Sequence, residues 1–177
     1  GTDYIDIYYL HRVDPKVPVE DTWGAMARMV EKGKVRALGI CEIGASTFER
    51  ANRIHPVAVV QSEYSLWSRE PEDAMLEFLR EQGSWFFGYA SLGRGFLSGA
   101  VRKPEDFPDQ DQRRDMPRFQ GENFVRNLEF VDTLKALAAE LAPFAGRGFA
   151  VYHEGYQHFV SRYGLHQLDY VTFTPEQ

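Results

Sequence analysis

The sequence predicts an α/β fold in which a mainly parallel, open sheet of about six strands carries helices on both faces. Two observations support this prediction. Short apolar runs of strand length alternate with segments whose apolar residues recur at helical spacing. The strand segments are also rich in β-branched and aromatic residues, as a sheet covered on both faces requires. The length of 177 residues suits one domain spanning residues 1–177.

The strand number decides between an open and a closed sheet. Six strands cannot readily reproduce the shear and radius of an eight-stranded barrel, so an open twisted sheet is favoured. A curved half-barrel that dimerises through its exposed sheet edge is the alternative. The predicted strands are Tyr4 to Leu10, Val35 to Cys41, Val57 to Ser62, Trp85 to Ala90, Gly148 to His153 and Asp169 to Phe173.

The first helix lies between the first two strands. Its apolar residues fall at i, i+3, i+4 and i+7, which places them on one face. They are Trp23, Met26, Ala27 and Val30. Gly33 then supplies a left-handed C-terminal cap.

Two shorter helices follow from terminal signals. Ser46 and Glu49 form a capping box that predicts the start of the second helix, which ends near His55. Pro71 and Gly83 bracket the third helix, because proline is favoured in a first turn and glycine after a last one. Its inward residues are expected to be Met75, Phe78 and Leu79.

The last third of the sequence begins with a polar stretch from Arg102 to Gly121, which predicts a long solvated loop. A helix is expected from Asn123 to Leu141, and Pro143 helps to end it. The apolar stripe of this helix is Phe124, Leu128, Val131, Leu134, Ala138 and Leu141. A final strand, helix and strand follow, with Tyr156, Phe159, Val160 and Tyr163 on the helix and Gly164 as its cap.

Composition excludes several classes of protein. The net charge of -6 and the scattered basic residues argue against a nucleic-acid partner. No apolar run approaches the length of a membrane span and no signal-peptide pattern opens the chain, so no membrane partner is expected. The single cysteine, Cys41, excludes an intrachain disulfide and a thiolate metal cluster. We expect a soluble protein, cytoplasmic on recombinant expression, whose native compartment is unknown.

Three segments give residues 1–141 a resemblance to the aldo-keto reductases. They are Asp3 to Arg12 (DYIDIYYLHR), Val60 to Trp67 (VQSEYSLW) and Tyr89 to Leu97 (YASLGRGFL). The resemblance implies the second half of a TIM barrel. It also implies that His11 orients and polarises a substrate carbonyl, beside a Tyr acid, a Lys and an Asp that belong to the other half. A histidine without such a proton donor supplies little acid catalysis, so His11 is expected to be a relic and the chain not an enzyme.

The same resemblance implies residues that bind NADP(H). Their counterparts contact the nicotinamide carboxamide, stack on its ring and approach the pyrophosphate. They are Gln61, Tyr89 and the turn of Leu92, Gly93 and Arg94. The family often has Ser at Cys41 and Ala90, so two polar contacts are weakened. The favoured interpretation is therefore that Gln61 is a sheet-end polar residue and Tyr89 a core aromatic, both relics of a cofactor site. No cofactor is expected, and weak residual NADP(H) binding is the alternative.

Residues 142–177 resemble a different family, the zinc-binding periplasmic solute-binding proteins of ABC transporters. The resemblance rests on Phe149 to Phe159 (FAVYHEGYQHF) and Tyr163 to Leu165 (YGL). It implies that His153 is a zinc ligand, although Glu154 and Gly155 depart from the usual Asp-Ala. Zinc needs three or four ligands, so His153 is expected to be a relic that binds zinc weakly at most.

These two resemblances together suggest an engineered chimera. Residues 1–141 would form a reductase-like half-barrel segment and residues 142–177 a β-α-β segment, spliced within one helix. On this hypothesis the chain is a designed protein without physiological catalytic function. The alternatives are weak NADP(H) binding or carbonyl reduction inherited from a reductase, and weak zinc binding through His153.

Overall fold

A computed structural model describes residues 1–144, 148–151 and 166–170. The helices are α1 (Val19–Glu31), α2 (Ala45–Asn52), α3 (Met75–Glu81) and α4 (Gly121–Leu141). The strands are β1 (Ile5–Leu10), β2 (Val35–Cys41), β3 (Val59–Glu63), β4 (Trp85–Tyr89), β5 (Gly148–Val151) and β6 (His166–Tyr170). The chain forms two compact units, Gly1–Gly95 and Phe96–Gln177, which we describe separately.

The first unit contains an open parallel sheet in the order β1-β2-β3-β4. The predicted α/β class and the unclosed parallel sheet are confirmed. The prediction of about six strands in one sheet is wrong, because this sheet has four strands and β5 and β6 pair with each other instead. Apolar runs locate strands along the sequence, but they do not determine which strands pair.

The helices of this unit pack on one face of the sheet. The core joins Trp23 of α1 and Phe48 of α2 to Leu38, Ile40 and Val60 of the central strands. On the opposite face, large apolar side chains of the outer strands remain exposed, with Ile5 at 48%, Phe87 at 43% and Trp85 at 71%. The expectation of helices on both faces is therefore not met within this unit.

Helix α1 confirms its predicted face and cap. Trp23, Met26 and Ala27 are buried, and the Trp23 indole N–H donates to the carbonyl of His55 at 2.8 Å. Gly33 follows the helix with φ of 68°, a conformation that only glycine adopts without steric cost.

Helix α2 starts differently from the prediction. Its N-cap is Gly44, and no side chain caps its first turn, so the capping box of Ser46 and Glu49 does not form. Phe48 and Ala51 are buried, and the Phe48 ring meets Phe78 of α3 edge to face at 5.2 Å between centroids. Burial of the apolar face therefore stabilises this short helix more than capping does.

Helix α3 is shorter than its bracketing residues suggest. Pro71 belongs to a separate 3-10 turn, Glu70–Glu72, and α3 begins at Met75. Gly83 follows the helix with φ of 69°, as predicted for its C-terminal cap.

The second unit is built on α4, which begins two residues before the predicted Asn123. Phe124 and Val131 of the predicted stripe are buried. The preceding segment is not simply a solvated loop, because Phe107 and Phe119 are 1% and 2% exposed. Together with Phe96 and Phe124 they form a cluster of four rings with centroid distances of 5.2 to 6.4 Å. Single aromatic residues within a polar stretch show no regular spacing of apolar positions. The hydrophobic pattern of the sequence therefore could not predict that these rings cluster.

The end of the chain is described only in its strands. β5 and β6 pair in parallel, and β6 begins at His166 rather than at the predicted Asp169. The predicted helix with Tyr156, Phe159, Val160, Tyr163 and Gly164 lies outside the described residues. Among the helices that are described, none is long and apolar enough to cross a membrane.

Candidate functional site

The carboxyl ends of the four strands of the first unit form one edge of the sheet. Parallel pairing places Cys41 beside Gln61 and Glu63 beside Tyr89. His11 directly follows β1 at the same edge. Carboxyl edges of parallel sheets are where α/β proteins collect functional groups. Most of the predicted site residues are therefore brought together within one unit.

Gln61 is held from two sides. The Cys41 thiol donates to the Gln61 carboxamide oxygen, with Sγ and Oε1 3.6 Å apart. The backbone carbonyl of Gln61 accepts the N–H of Glu42 at 2.9 Å. Burial raises the pKa of the Cys41 thiol, which keeps its proton in place for this bond. Cysteine therefore preserves a donor at the position where serine was expected.

Tyr9 belongs to the same face of the sheet and was missed by the sequence analysis. Its ring lies over Gly39, where a Cβ atom would come within 2.4 Å of the ring carbon Cε1. The Tyr9 hydroxyl is buried and has no hydrogen-bond partner within the described chain. Burial first, and Cys41 second, raise the pKa of this phenol. A glycine in the middle of a central strand was the one signal of this close approach.

Tyr89 ends β4 and is half-buried. Burial and, next, a hydrogen bond to Glu42 raise the pKa of its phenol, while Arg12 lowers it. Its backbone carbonyl accepts the N–H of Tyr64 at 3.1 Å. Glu42 holds a left-handed backbone with φ of 52°. The Tyr89 ring is thus fixed among charged groups at the sheet edge rather than buried in the apolar core.

The turn after β4 is tightly wound. Gly93 donates its N–H to the carbonyl of Ala90 at 2.7 Å, and Gly95 donates to Leu92 at 3.0 Å. Positive φ angles occur at Ala90 (53°), Gly93 (56°), Arg94 (57°) and Gly95 (89°). Left-handed conformations of non-glycine residues concentrate at functional sites, because the surrounding structure must hold them.

His11 is exposed. The Arg12 guanidinium donates to the His11 backbone carbonyl at 2.7 Å, which orders the chain where it leaves β1. The imidazole therefore faces solvent at the edge that also carries Gln61 and Tyr89, where a bound substrate could reach it.

The predicted zinc ligand cannot be placed, since His153 lies outside the described residues. Over residues 1–144, 148–151 and 166–170, no group of three or more His, Cys, Asp and Glu side chains could hold a metal ion.

The resemblance to the aldo-keto reductases implies that the groups at this edge meet a nicotinamide dinucleotide, and the geometry allows that to be tested. Gln61 provides a carboxamide and Tyr89 provides a flat ring. At Gly93, which has no side chain, a ligand can come close to the backbone of the turn. The buried, unpartnered Tyr9 hydroxyl adds an unsatisfied polar atom on the same face of the sheet. These groups are compatible with the nicotinamide dinucleotide that the resemblance implies.

Comparison with known proteins agrees with this chemistry. A profile of the Aldo/keto reductase family matches residues 1–143. The chain is 45% identical over 141 residues to the aldo-keto reductase yakc of Schizosaccharomyces pombe, whose name includes NADP(+). It is 46% identical over 140 residues to the aldo-keto reductase str7 of Strobilurus tenacellus. These matches cover 78% and 77% of this chain and 42% of each relative.

A solved structure gives the same result. A glycerol dehydrogenase from Gluconobacter oxydans is similar with a TM-score of 0.70 and 28% identity, over 78% of this chain and 42% of that protein. The chain thus spans less than half the length of the relatives it matches.

These matches correct the hypothesis of a designed chimera without catalytic function. Identity of 45% to a named reductase points to a natural reductase sequence. The solute-binding resemblance of residues 142–177 has no support, since the family match ends at residue 143.

Proposed function

Because the chain belongs to the aldo/keto reductase family, we propose that it serves in the NADP(H)-dependent reduction of a carbonyl compound. The proposal rests on one observation above all. Gln61 is fixed by Cys41 and by the backbone N–H of Glu42, at the sheet edge that also holds Tyr89 and His11. The edge from β1 to β4 would then form the nicotinamide-facing part of the site.

Each residue takes a separate role in this proposal. The Gln61 carboxamide binds the nicotinamide carboxamide, and the Tyr89 ring stacks on the nicotinamide. The Leu92–Gly93–Arg94 turn approaches the pyrophosphate with its backbone N–H groups. His11 donates a hydrogen bond to the substrate carbonyl oxygen and orients it. When bound, the dinucleotide supplies the hydride that reduces the carbonyl carbon.

We further propose that residues 1–177 bind the dinucleotide without efficient turnover. The resemblance pairs His11 with a Tyr acid, a Lys and an Asp, and matches none of them to a residue of this sequence. A positioned general acid typically contributes roughly 10²- to 10⁴-fold in rate. The relatives are more than twice as long as the segment that matches this chain. The Tyr, Lys and Asp groups are therefore expected in the part of the reductase fold that the match does not cover.

The direct test is titration of the protein with NADPH, followed by nicotinamide fluorescence and by thermal unfolding. Saturable binding is expected. Ligand at about 100 times its dissociation constant should add roughly 2.7 kcal/mol to the free energy of unfolding. Gln61→Leu and Tyr89→Ala should each weaken binding, whereas Glu77→Gln, which changes an exposed side chain of α3, should not. Absence of saturable binding by the unmodified chain would overturn the proposal.

A further inference from the structure

Glu63, the last residue of β3, connects three parts of the sheet edge. Its carboxylate oxygen Oε1 accepts the Ser68 hydroxyl at 2.9 Å. The other oxygen, Oε2, lies 3.7 Å from Nη2 of Arg94. Its backbone N–H donates to Oε1 of Glu42 at 2.9 Å. The Glu63 side chain is only 15% exposed, so its carboxylate is partly shielded from water, while the Arg94 side chain is 36% exposed.

Arg94 is, with Ala90, one of two non-glycine residues of the turn after β4 that hold a left-handed backbone. It has a Cβ atom and yet a φ of 57°, between two glycines that also have positive φ. L-residues other than glycine seldom adopt this conformation unless other contacts fix them. The ion pair with Glu63 is such a contact, and it joins the turn to the neighbouring strand.

We propose that Glu63 is a positioning residue which, through Arg94, holds the Leu92–Gly93–Arg94 turn in its phosphate-binding shape. This inference rests on the proposed function, because it assumes that the turn meets a dinucleotide. Ser68 takes part by fixing one oxygen of the Glu63 carboxylate, which leaves the other oxygen facing Arg94.

Whether Glu63→Gln strengthens or weakens NADPH binding distinguishes a positioning role from a purely electrostatic one. NADPH is a polyanion, and a nearby carboxylate repels it. If Glu63 acted only through its charge, Glu63→Gln would strengthen NADPH binding. If Glu63 positions the turn, the same substitution weakens binding in spite of the lost repulsion.

The experiment measures NADPH dissociation constants for the 177-residue chain and its variants. Glu63→Gln should raise the constant by about tenfold, which corresponds to roughly 1.4 kcal/mol. Ser68→Ala leaves the charge in place and should raise the constant by a smaller factor, so it tests the role even if Glu63→Gln does not fold. Glu77→Gln is the matched control, because Glu77 also pairs with an arginine but lies on α3 in an exposed position.

A double-mutant cycle separates positioning from a general loss of structure. Glycine adopts the left-handed conformation unaided, so Arg94→Gly should make the turn independent of Glu63. Adding Glu63→Gln to Arg94→Gly should then change NADPH binding by less than twofold. A full tenfold loss in that background, or unchanged or tighter binding by Glu63→Gln alone, would overturn the inference while the proposed function stands. If the unmodified chain binds no NADPH, the proposed function fails and the inference falls with it.

Discussion

Cys41 and Gln61 are register partners on neighbouring parallel strands, and the thiol of one donates to the carboxamide of the other. Because the Cys41 thiol donates to the carboxamide oxygen of Gln61, that oxygen is the acceptor in this contact. The NH₂ group of Gln61 is then left to donate to a different partner. A sulfur donor at 3.6 Å is weaker than a hydroxyl, but it performs the same orienting task.

Replacement of Cys41 tests this orienting contact. Cys41→Val removes the donor at similar volume and should weaken NADPH binding about fivefold, since a hydrogen bond contributes roughly 1 kcal/mol. Cys41→Ser keeps a donor and should bind NADPH as well as the unmodified chain or better. Equal affinities for the Val and Ser variants would show that the thiol does not position Gln61.

The close packing of Tyr9 on Gly39 makes a prediction about stability. Gly39→Ala would bring a Cβ atom within 2.4 Å of the Tyr9 ring and 2.9 Å of Val59. Overpacking of this kind typically costs about 1–3 kcal/mol, measured as the free energy of unfolding in urea. Gly24→Ala is the control, because its Cβ meets only Ile54 at 3.7 Å and alanine favours a helix. If both variants were equally stable, the Tyr9 ring would not occupy this position.

These examples show what the sequence could predict. The ends of β2, the face of α1 and the cap at Gly33 follow from local patterns, because each depends on residues close together in the chain. The position of Gln61 near the end of a strand also followed, because it closes an apolar run, whereas Tyr89 was interpreted as a core aromatic and instead ends β4 at the sheet edge. Contacts such as Glu63 to Arg94 did not, since they join residues 31 positions apart whose proximity depends on strand pairing.

Tyr64 gives a prediction for alkaline pH. Its hydroxyl donates to Glu72 at 2.8 Å. Burial first and this bond second raise the pKa of Tyr64 from 10.0 to about 12. The unfolded chain loses this proton at lower pH than the folded chain, so the stabilisation is complete below pH 10 and is lost between about pH 10 and 12.

Ultraviolet titration of tyrosinate, compared between the unmodified chain and Tyr64→Phe, should isolate a group titrating near pH 12. Glu72→Gln removes the neighbouring charge and should lower this pKa. A Tyr64 pKa near 10 in the folded protein would contradict the hydrogen bond to Glu72.

The edge of the outer strand β4, which is unpaired within the described part of the chain, leads us to expect that the chain associates with itself. Among the described strands only β3 pairs with β4, and the first residue of β4, Trp85, is 71% exposed. Unpaired edges with apolar side chains tend to pair with other chains, so we expect residues 1–177 to form a homodimer through this edge. Sedimentation velocity should show a dimer that Trp85→Lys converts to monomer. Arg80→Lys, at an exposed side chain of α3, should leave the dimer intact. A monomeric unmodified chain would refute the prediction.

The aromatic cluster of the second unit tests whether the segment before α4 is packed. Phe107 is 1% exposed, and its ring contacts Phe119 at 5.4 Å and Phe124 at 6.4 Å between centroids. Phe107→Ala should destabilise this unit by about 3–5 kcal/mol, because a buried aromatic leaves a large cavity. Val125→Ala on the same helix as Phe124 is the control, since Val125 is 58% exposed and should change stability by less than about 0.5 kcal/mol. Hydrogen exchange of α4 amides would report the loss locally. Unchanged protection of α4 in Phe107→Ala would mean that the segment is the solvated loop its polar composition suggested.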